Sequence, residues 1–215
     1  MRLTKLGHAC VRLSYDGSTV VVDPGGFTDP EAVDGVDAVL ITHEHPDHYD
    51  AATLRRTSAP VLTIAAVAAR IAEDAPDVAE RVVVVAPGES FTAAGIDVRA
   101  VGEAHAVIHP ELPGFDNSGF TFTLGDTVVH HPGDSLVVPD AAVDVLCVPS
   151  SAPWLKASEA IDYARAVGAP RNVAIHDRIY SEAAHGILAG HMGRFLDPAG
   201  QAYVRLADGE DLTPR

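Results

Sequence analysis

At 215 residues, 47% hydrophobic and 21% charged, the chain is sized for one globular domain over residues 1–215 with a full buried core. Thirty acidic against fifteen basic residues leave a net charge of −15, which repels phosphate backbones and anionic lipid and excludes a general nucleic-acid binder. No apolar run approaches the ~18 residues of a membrane span, Met1–His8 lacks the apolar stretch of a signal peptide, and Cys10 and Cys147 alone exclude a disulfide framework, so a reducing cytoplasm is the expected setting. In chain order, Ala9–Tyr15 and Thr19–Val22 flank an Asp16-Gly17 turn and predict a β-ribbon. Asp37–Thr42 reads as a buried strand, Ala51–Thr57 as a helix, Pro60–Ile64 as a strand, Ala65–Ala75 as an Ala-rich helix and Arg81–Val85 as a strand. Glu89–His105 reads as two strands turning at Ala94-Gly95, followed by a loop to Asn117 and a hairpin of Gly119–Leu124 and Thr127–His131 about Gly125-Asp126. The last third alternates: strand Val143–Val148, helix Ser158–Val167 closed by Gly168, strand Val173–His176, a helix capped by Ser181, and strand Gln201–Leu206. The last helix is expected to bury Ala184, Ile187, Leu188, Met192 and Phe195. Hairpins mixed with strand–helix units predict two sheets packed face to face with helices outside, a four-layer αββα sandwich of the α/β class. No Gly-x-Gly-x-x-Gly follows the first strand, which disfavours a doubly wound nucleotide fold.

Eleven histidines are present, and their placement carries the chemistry. His43-Glu44-His45-Pro46-Asp47-His48 sets three imidazoles and a carboxylate within six residues, directly after a predicted buried strand. Imidazole nitrogen and carboxylate oxygen are the donors that suit zinc, manganese or iron. In an extended loop His43 and His45 point the same way and can share one ion, while Asp47 and His48 can reach a second.

His-x-His-x-Asp-His after a buried strand resembles the metallo-β-lactamase superfamily. The resemblance extends along the chain through Val22-Asp23-Pro24-Gly25-Gly26, Glu103-Ala104-His105, Asn117-Ser118-Gly119-Phe120, His131-Pro132-Gly133-Asp134-Ser135 and Ala174-Ile175-His176. Its best subgroup match is the lactonase-like branch that includes ascorbate-6-phosphate lactonase and many metal-dependent hydrolases. The resemblance implies that His43, His45 and His105 hold one divalent ion and that Asp47, His48 and His176 hold the other, with Asp134 bridging both. Zinc is the expected metal, with manganese or iron as alternatives. It further implies a dinuclear hydrolase in which a metal-bound hydroxide cleaves a small-molecule lactone or ester. Asp47 and Asp134 would be its catalytic carboxylates, with Asp47 shuttling the proton.

Around that set, Asp23 and His131 are expected to support the ligands from behind, and Trp154, Arg178 and Tyr180 to face the substrate, the last two meeting an anionic leaving group. His109 is an alternative to His105, which stands better at a strand end. His8 reads as an incidental residue of the first ribbon, His130 and His131 lie on opposite strand faces, and His185 and His191 read as surface. Secreted β-lactamases, thioesterases with a C-terminal helical domain and RNA-processing relatives with a basic extension fit this chain poorly. A small-molecule phosphodiesterase is the second hydrolase reading, and a non-catalytic metal-binding protein the alternative of another class. The expected partner is a small molecule, with a homo-oligomer compatible with the sequence.

Overall fold

A computed structural model describes residues 1–212. Its first sheet contains β1 (Arg2–Gly7), β2 (Cys10–Tyr15), β3 (Ser18–Val22), β4 (Ala38–Ile41), β5 (Val61–Thr63) and β6 (Val82–Val84), in that spatial order. β1 to β3 are antiparallel, and β3 to β6 run parallel. The second sheet is seven-stranded and begins with antiparallel β7 (Ser90–Ala93), β8 (Ile96–Val101), β9 (Gly119–Leu124) and β10 (Thr127–His131). It continues in parallel through β11 (Val145–Pro149), β12 (Arg171–Ile175) and β13 (Ala202–Val204). Helices α1 (Ala51–Leu54), α2 (Ala65–Asp74) and α3 (Pro76–Ala79) belong to the first half of the chain, and α4 (Ala157–Val167) and α5 (Glu182–Leu196) to the second.

The period-two alternation of strands divides the apolar residues among three layers of core. Val20, Val22 and Leu40 of the first sheet meet Phe120, Phe122, Cys147 and Val173 of the second between the sheets. Their sequence neighbours Val21, Val39 and Ile41 face outward against Leu54, Val67 and Ile71. Leu146 and Val148 likewise face outward against Ala160, Tyr163, Leu188 and Met192. Helices therefore cover the outer face of each sheet, giving the αββα sandwich that the element order predicts.

Three features depart from the sequence reading. β1 is a strand that the sequence pattern hides, because Lys5 occupies a fully buried position in it. Its ammonium is paired with the equally secluded Asp177 at 2.9 Å. α1 ends at Leu54 rather than Thr57, one turn beyond the Asp50 cap, whose carboxylate accepts from Thr53 N. α5 buries His185, Leu188, Met192 and Leu196, whereas Ile187 and Phe195 are 65% and 47% exposed. His185 takes the inward stripe because its Nε2–H donates to the Asp177 carbonyl at 2.8 Å, which corrects its reading as a surface residue. No helix among the described residues is long and apolar enough to cross a membrane.

Candidate metal centre

Every residue of the centre follows the C-terminal end of a strand, and the topology brings those ends to one edge of the sandwich. His8 follows β1, Asp23 follows β3, the loop His43–His48 follows β4, His105 follows β8, Asp134 follows β10, Trp154 follows β11 and His176 follows β12. Backbone bonds join the two sheets there: Ser118 N donates to Thr42 O at 3.1 Å and His176 N to His8 O at 3.0 Å. Among the described residues, three of the five non-glycine residues with left-handed backbone, His8 (φ 43°), Asp23 (φ 50°) and His176 (φ 54°), lie in this cluster. Such strain persists where surrounding contacts hold it and concentrates at functional sites.

Two groups of donors result. In one, single atoms of His43, His45, His105 and Asp134 lie within 4.8 Å of one another; in the other, those of His8, Asp47, His48 and His176 do so. Asp134 stands between them. Its Oδ2 is 3.2 Å from His105 Nε2 and 3.2 Å from His176 Nε2, and its Oδ1 is 3.1 Å from His48 Nε2. Asp47 Oδ2 is 3.2 Å from His176 Nε2.

The residues behind this cluster fix its tautomers. Asp23 is fully buried and accepts from Thr42 N at 2.8 Å, Thr42 Oγ1 at 2.8 Å and His48 Nδ1 at 2.7 Å. Since the Thr42 hydroxyl spends its proton on Asp23, its 3.0 Å contact with His43 is an Nδ1–H donation by the imidazole. His105 Nδ1–H donates to the Ala106 carbonyl, and His176 Nδ1–H to the Ser151 carbonyl. Each of these rings thereby keeps the Nε2 lone pair for the cluster, the arrangement typical of metal-binding histidine.

Burial and charge oppose each other within the cluster. Burial alone would raise the Asp134 carboxyl, but His48, His105 and His176 hold it well below the usual carboxylate range. Asp47 is likewise held low by His176 and His8 against its own burial. Burial pushes His43 and His45 down, whereas the flanking carboxylates outweigh burial at His176 and raise it to about 9. His48 Nε2, His176 Nε2 and Asp134 Oδ1 are buried and make no hydrogen bond of acceptable geometry. Buried lone pairs without partners are costly. Donors bonded tetrahedrally at ~2.0–2.2 Å lie about 3.3–3.6 Å apart, and the spacings here, from 3.1 Å for His43 Nε2 to His45 Nδ1 to 3.9 Å for His43 Nε2 to Asp134 Oδ2, bracket that value. The residues present fit a pair of divalent ions.

Further contacts position the centre. Gly25 lies so close to the metal loop that a Cβ would come within 2.2 Å of the Asp47 backbone. Gly133 (φ 62°) leaves no room for a side chain between Asn117 and Thr42. Asn117 Oδ1 accepts from Asp134 N at 3.0 Å. Trp154 Nε1 donates to Asp134 Oδ2 at 3.0 Å, and its ring packs edge-on to His105 and His176. His131 joins the β10 end to the first ribbon, with Nε2–H on the Ala9 carbonyl at 2.8 Å and Nδ1 accepting from Gly133 N. His109 is exposed and accepts from Glu111 N, outside both donor groups.

Two expectations meet a different geometry. Arg178 directs its guanidinium to Asp208, and the Tyr180 hydroxyl faces the Leu155 carbonyl. His8, read as incidental, is fully buried inside the second donor group. No local signal in the sequence marks it, because the buried Lys5 hides β1, the strand whose end His8 follows.

The family described as a beta-lactamase superfamily domain matches residues 2–176. Protein Rv0786c of Mycobacterium tuberculosis is 41% identical over 200 residues, covering 89% of this chain and 91% of the relative. The UPF0173 metal-dependent hydrolase of Methanoculleus marisnigri is 30% identical over 194 residues, with 82% and 80% covered. Among solved structures, the metallo-beta-lactamase fold protein YhfI from Bacillus subtilis superposes with a TM-score of 0.75 at 16% identity, covering 98% of each chain. With its fold, its two donor groups and these relatives in agreement, the chain belongs to the metallo-β-lactamase superfamily as one of its metal-dependent hydrolases.

Proposed function

We propose that this metal-dependent hydrolase uses two divalent ions, zinc foremost, to cleave a small, uncharged lactone or ester. The observation that carries the reading is Asp134, whose carboxylate lies between two groups of buried imidazoles, 3.1–3.2 Å from His48, His105 and His176. His43, His45 and His105 would hold one ion, Asp47, His48 and His176 the other, and Asp134 both. When bound, such a pair supplies a water ionised near neutral pH and a Lewis acid for the scissile carbonyl.

The chain's own residues supply position and proton transfer. Asp47 Oδ2 faces His8 and His176, which leaves Oδ1 to take up and return the proton. Trp154 Nε1–H holds Asp134 in place, and the rings of Trp154, Phe115 and Phe27, packed on His105, His45 and His8, shield the centre from bulk water. A neutral substrate is favoured because the nearby cations are engaged elsewhere. Both lysines are committed, Lys5 to Asp177 and Lys156 to Glu159, and Arg178 pairs with Asp208. A phosphodiester carries its own negative charge and leans on such cations. A cytoplasmic setting belongs to the same reading, since both cysteines are buried and unpaired.

The test is a metal-loaded turnover panel of neutral lactones and aryl esters beside bis(p-nitrophenyl) phosphate. Faster turnover of a neutral ester or lactone is expected. Turnover confined to the phosphodiester would replace this reading with the phosphodiesterase, and a fully loaded protein inert across the panel would favour metal binding without catalysis.

A further inference from the structure

We propose that His8 positions Asp47 and does not itself bind an ion: its ring is locked by the Arg178 backbone so that Nε2–H is aimed at the Asp47 carboxylate. This rests on the reading of the centre as a two-ion site. Membership of the second donor group would make His8 a further ligand beside Asp47, His48, His176 and the shared Asp134. Its other ring nitrogen decides against that. Nδ1 accepts a hydrogen bond from Arg178 N at 3.3 Å. An imidazole nitrogen that accepts an N–H carries a lone pair, so the ring proton sits on Nε2. Nε2 lies 3.1 Å from Asp47 Oδ2, and a carboxylate only accepts. A protonated nitrogen has no lone pair to offer a metal. His43 and His48 show the opposite arrangement, with Nδ1–H spent on Thr42 and Asp23 and Nε2 left without a proton.

The surroundings hold this orientation. The His8 ring is fully buried, 4.0 Å from the His176 ring between centroids, and the edge-on Phe27 ring covers it at 5.1 Å. The left-handed backbone at His8 (φ 43°) turns the side chain inward, and its carbonyl accepts from His176 N. His8 thus fixes Asp47 through its ring and the start of the His176 loop through its backbone. Outer partners of metal ligands typically contribute ~10–100-fold in metal affinity, so the loss of His8 should weaken the second ion and spare the first.

Long-range proton–nitrogen NMR of the zinc-loaded full chain tests the assignment without any substitution. His8 is expected to keep its proton on Nε2, while His48 and His176 carry theirs on Nδ1 with Nε2 shifted by zinc. A His8 Nε2 that is deprotonated and zinc-shifted would make it a ligand and overturn the proposal. Zinc affinities by chelator competition form the second arm. His8→Phe should weaken the second zinc by ~10–100-fold, and His8→Gln, whose amide N–H can reach Asp47, should stay within about threefold of the parent. Two zincs held by His8→Phe at parental affinity would overturn the proposal, as would a His8→Gln protein as impaired as His8→Phe. Melting of the chelator-stripped variants checks that each folds. A parent chain that binds fewer than two zincs would refute the two-ion reading and this proposal together, a result visible before any variant is made.

Discussion

Asp23 reaches into the centre through other residues: one carboxylate holds the Thr42 backbone, the Thr42 hydroxyl and His48. Asp23→Asn would turn an N–H toward one of these donors and leave it unpaired, at a cost of about 1–3 kcal/mol. Denaturant unfolding of the metal-free protein should show that loss, with zinc affinity falling ~10–100-fold in parallel. At Asp134 the effect should be larger, because its carboxylate faces both donor groups: Asp134→Ala is expected to lose at least one of the two ions and more than ~100-fold in turnover, beyond what an outer partner contributes. Elemental analysis and steady-state rates check this, and two ions with parental rates would contradict the bridging assignment. Trp154→Phe keeps the ring and removes the donor, so weakened metal affinity with unchanged folding is expected. The loop His43–His48 was legible because its donors are adjacent in sequence. His8 was not, because a lone histidine in an apolar ribbon has the same pattern as a core residue, and only the fold shows that β1 and β12 end side by side.

Two elements show where patterning stops being a guide. In β1 the buried Lys5 breaks the apolar alternation, and its partner Asp177 lies 172 residues away. Lys5→Met would leave the secluded Asp177 with Arg205 alone, and breaking a buried pair typically costs about 3–5 kcal/mol. Burial by itself would raise the Asp177 carboxyl; Lys5 and Arg205 outweigh it and hold the group below its ordinary value. Its contribution to stability is therefore present above the unfolded carboxylate pKa of ~3.9 and is lost as pH falls through the lower, folded value. Removing Lys5 should move that acid limb to higher pH, which melting curves between pH 3 and 7 would show; an unmoved limb would contradict the pairing. In α5 the helical period was legible but its phase was set by His185, whose bond to the Asp177 carbonyl turns Ile187 and Phe195 outward. Ile187→Gln should accordingly change stability by less than about 0.5 kcal/mol, and Leu188→Ala should cost about 2–5 kcal/mol.

At the scale of the whole molecule, the layer order followed from strand–helix alternation, while the pairing of strand ends that builds the centre required long-range contacts no local pattern encodes. Both sheets contribute to that edge, His43, His45, Asp47 and His48 from the first and His105, Asp134 and His176 from the second, so ions bound there would tie the sheets together. Ions that bind the native state alone stabilise it by about 2.7 kcal/mol at a hundredfold excess over Kd. Chelation should thus lower the melting temperature, and re-addition of zinc should restore it. The net charge of −15 adds a field that repels anionic substrates, in keeping with an uncharged lactone or ester. Titrating zinc into chelator-stripped protein while following hydrolysis of a neutral lactone or aryl ester reads metal content and catalysis together. A two-ion hydrolase should show no turnover without metal and a rise that saturates at about two ions per chain. Full activity in the stripped protein, or saturation at a single ion, would contradict the two-ion assignment.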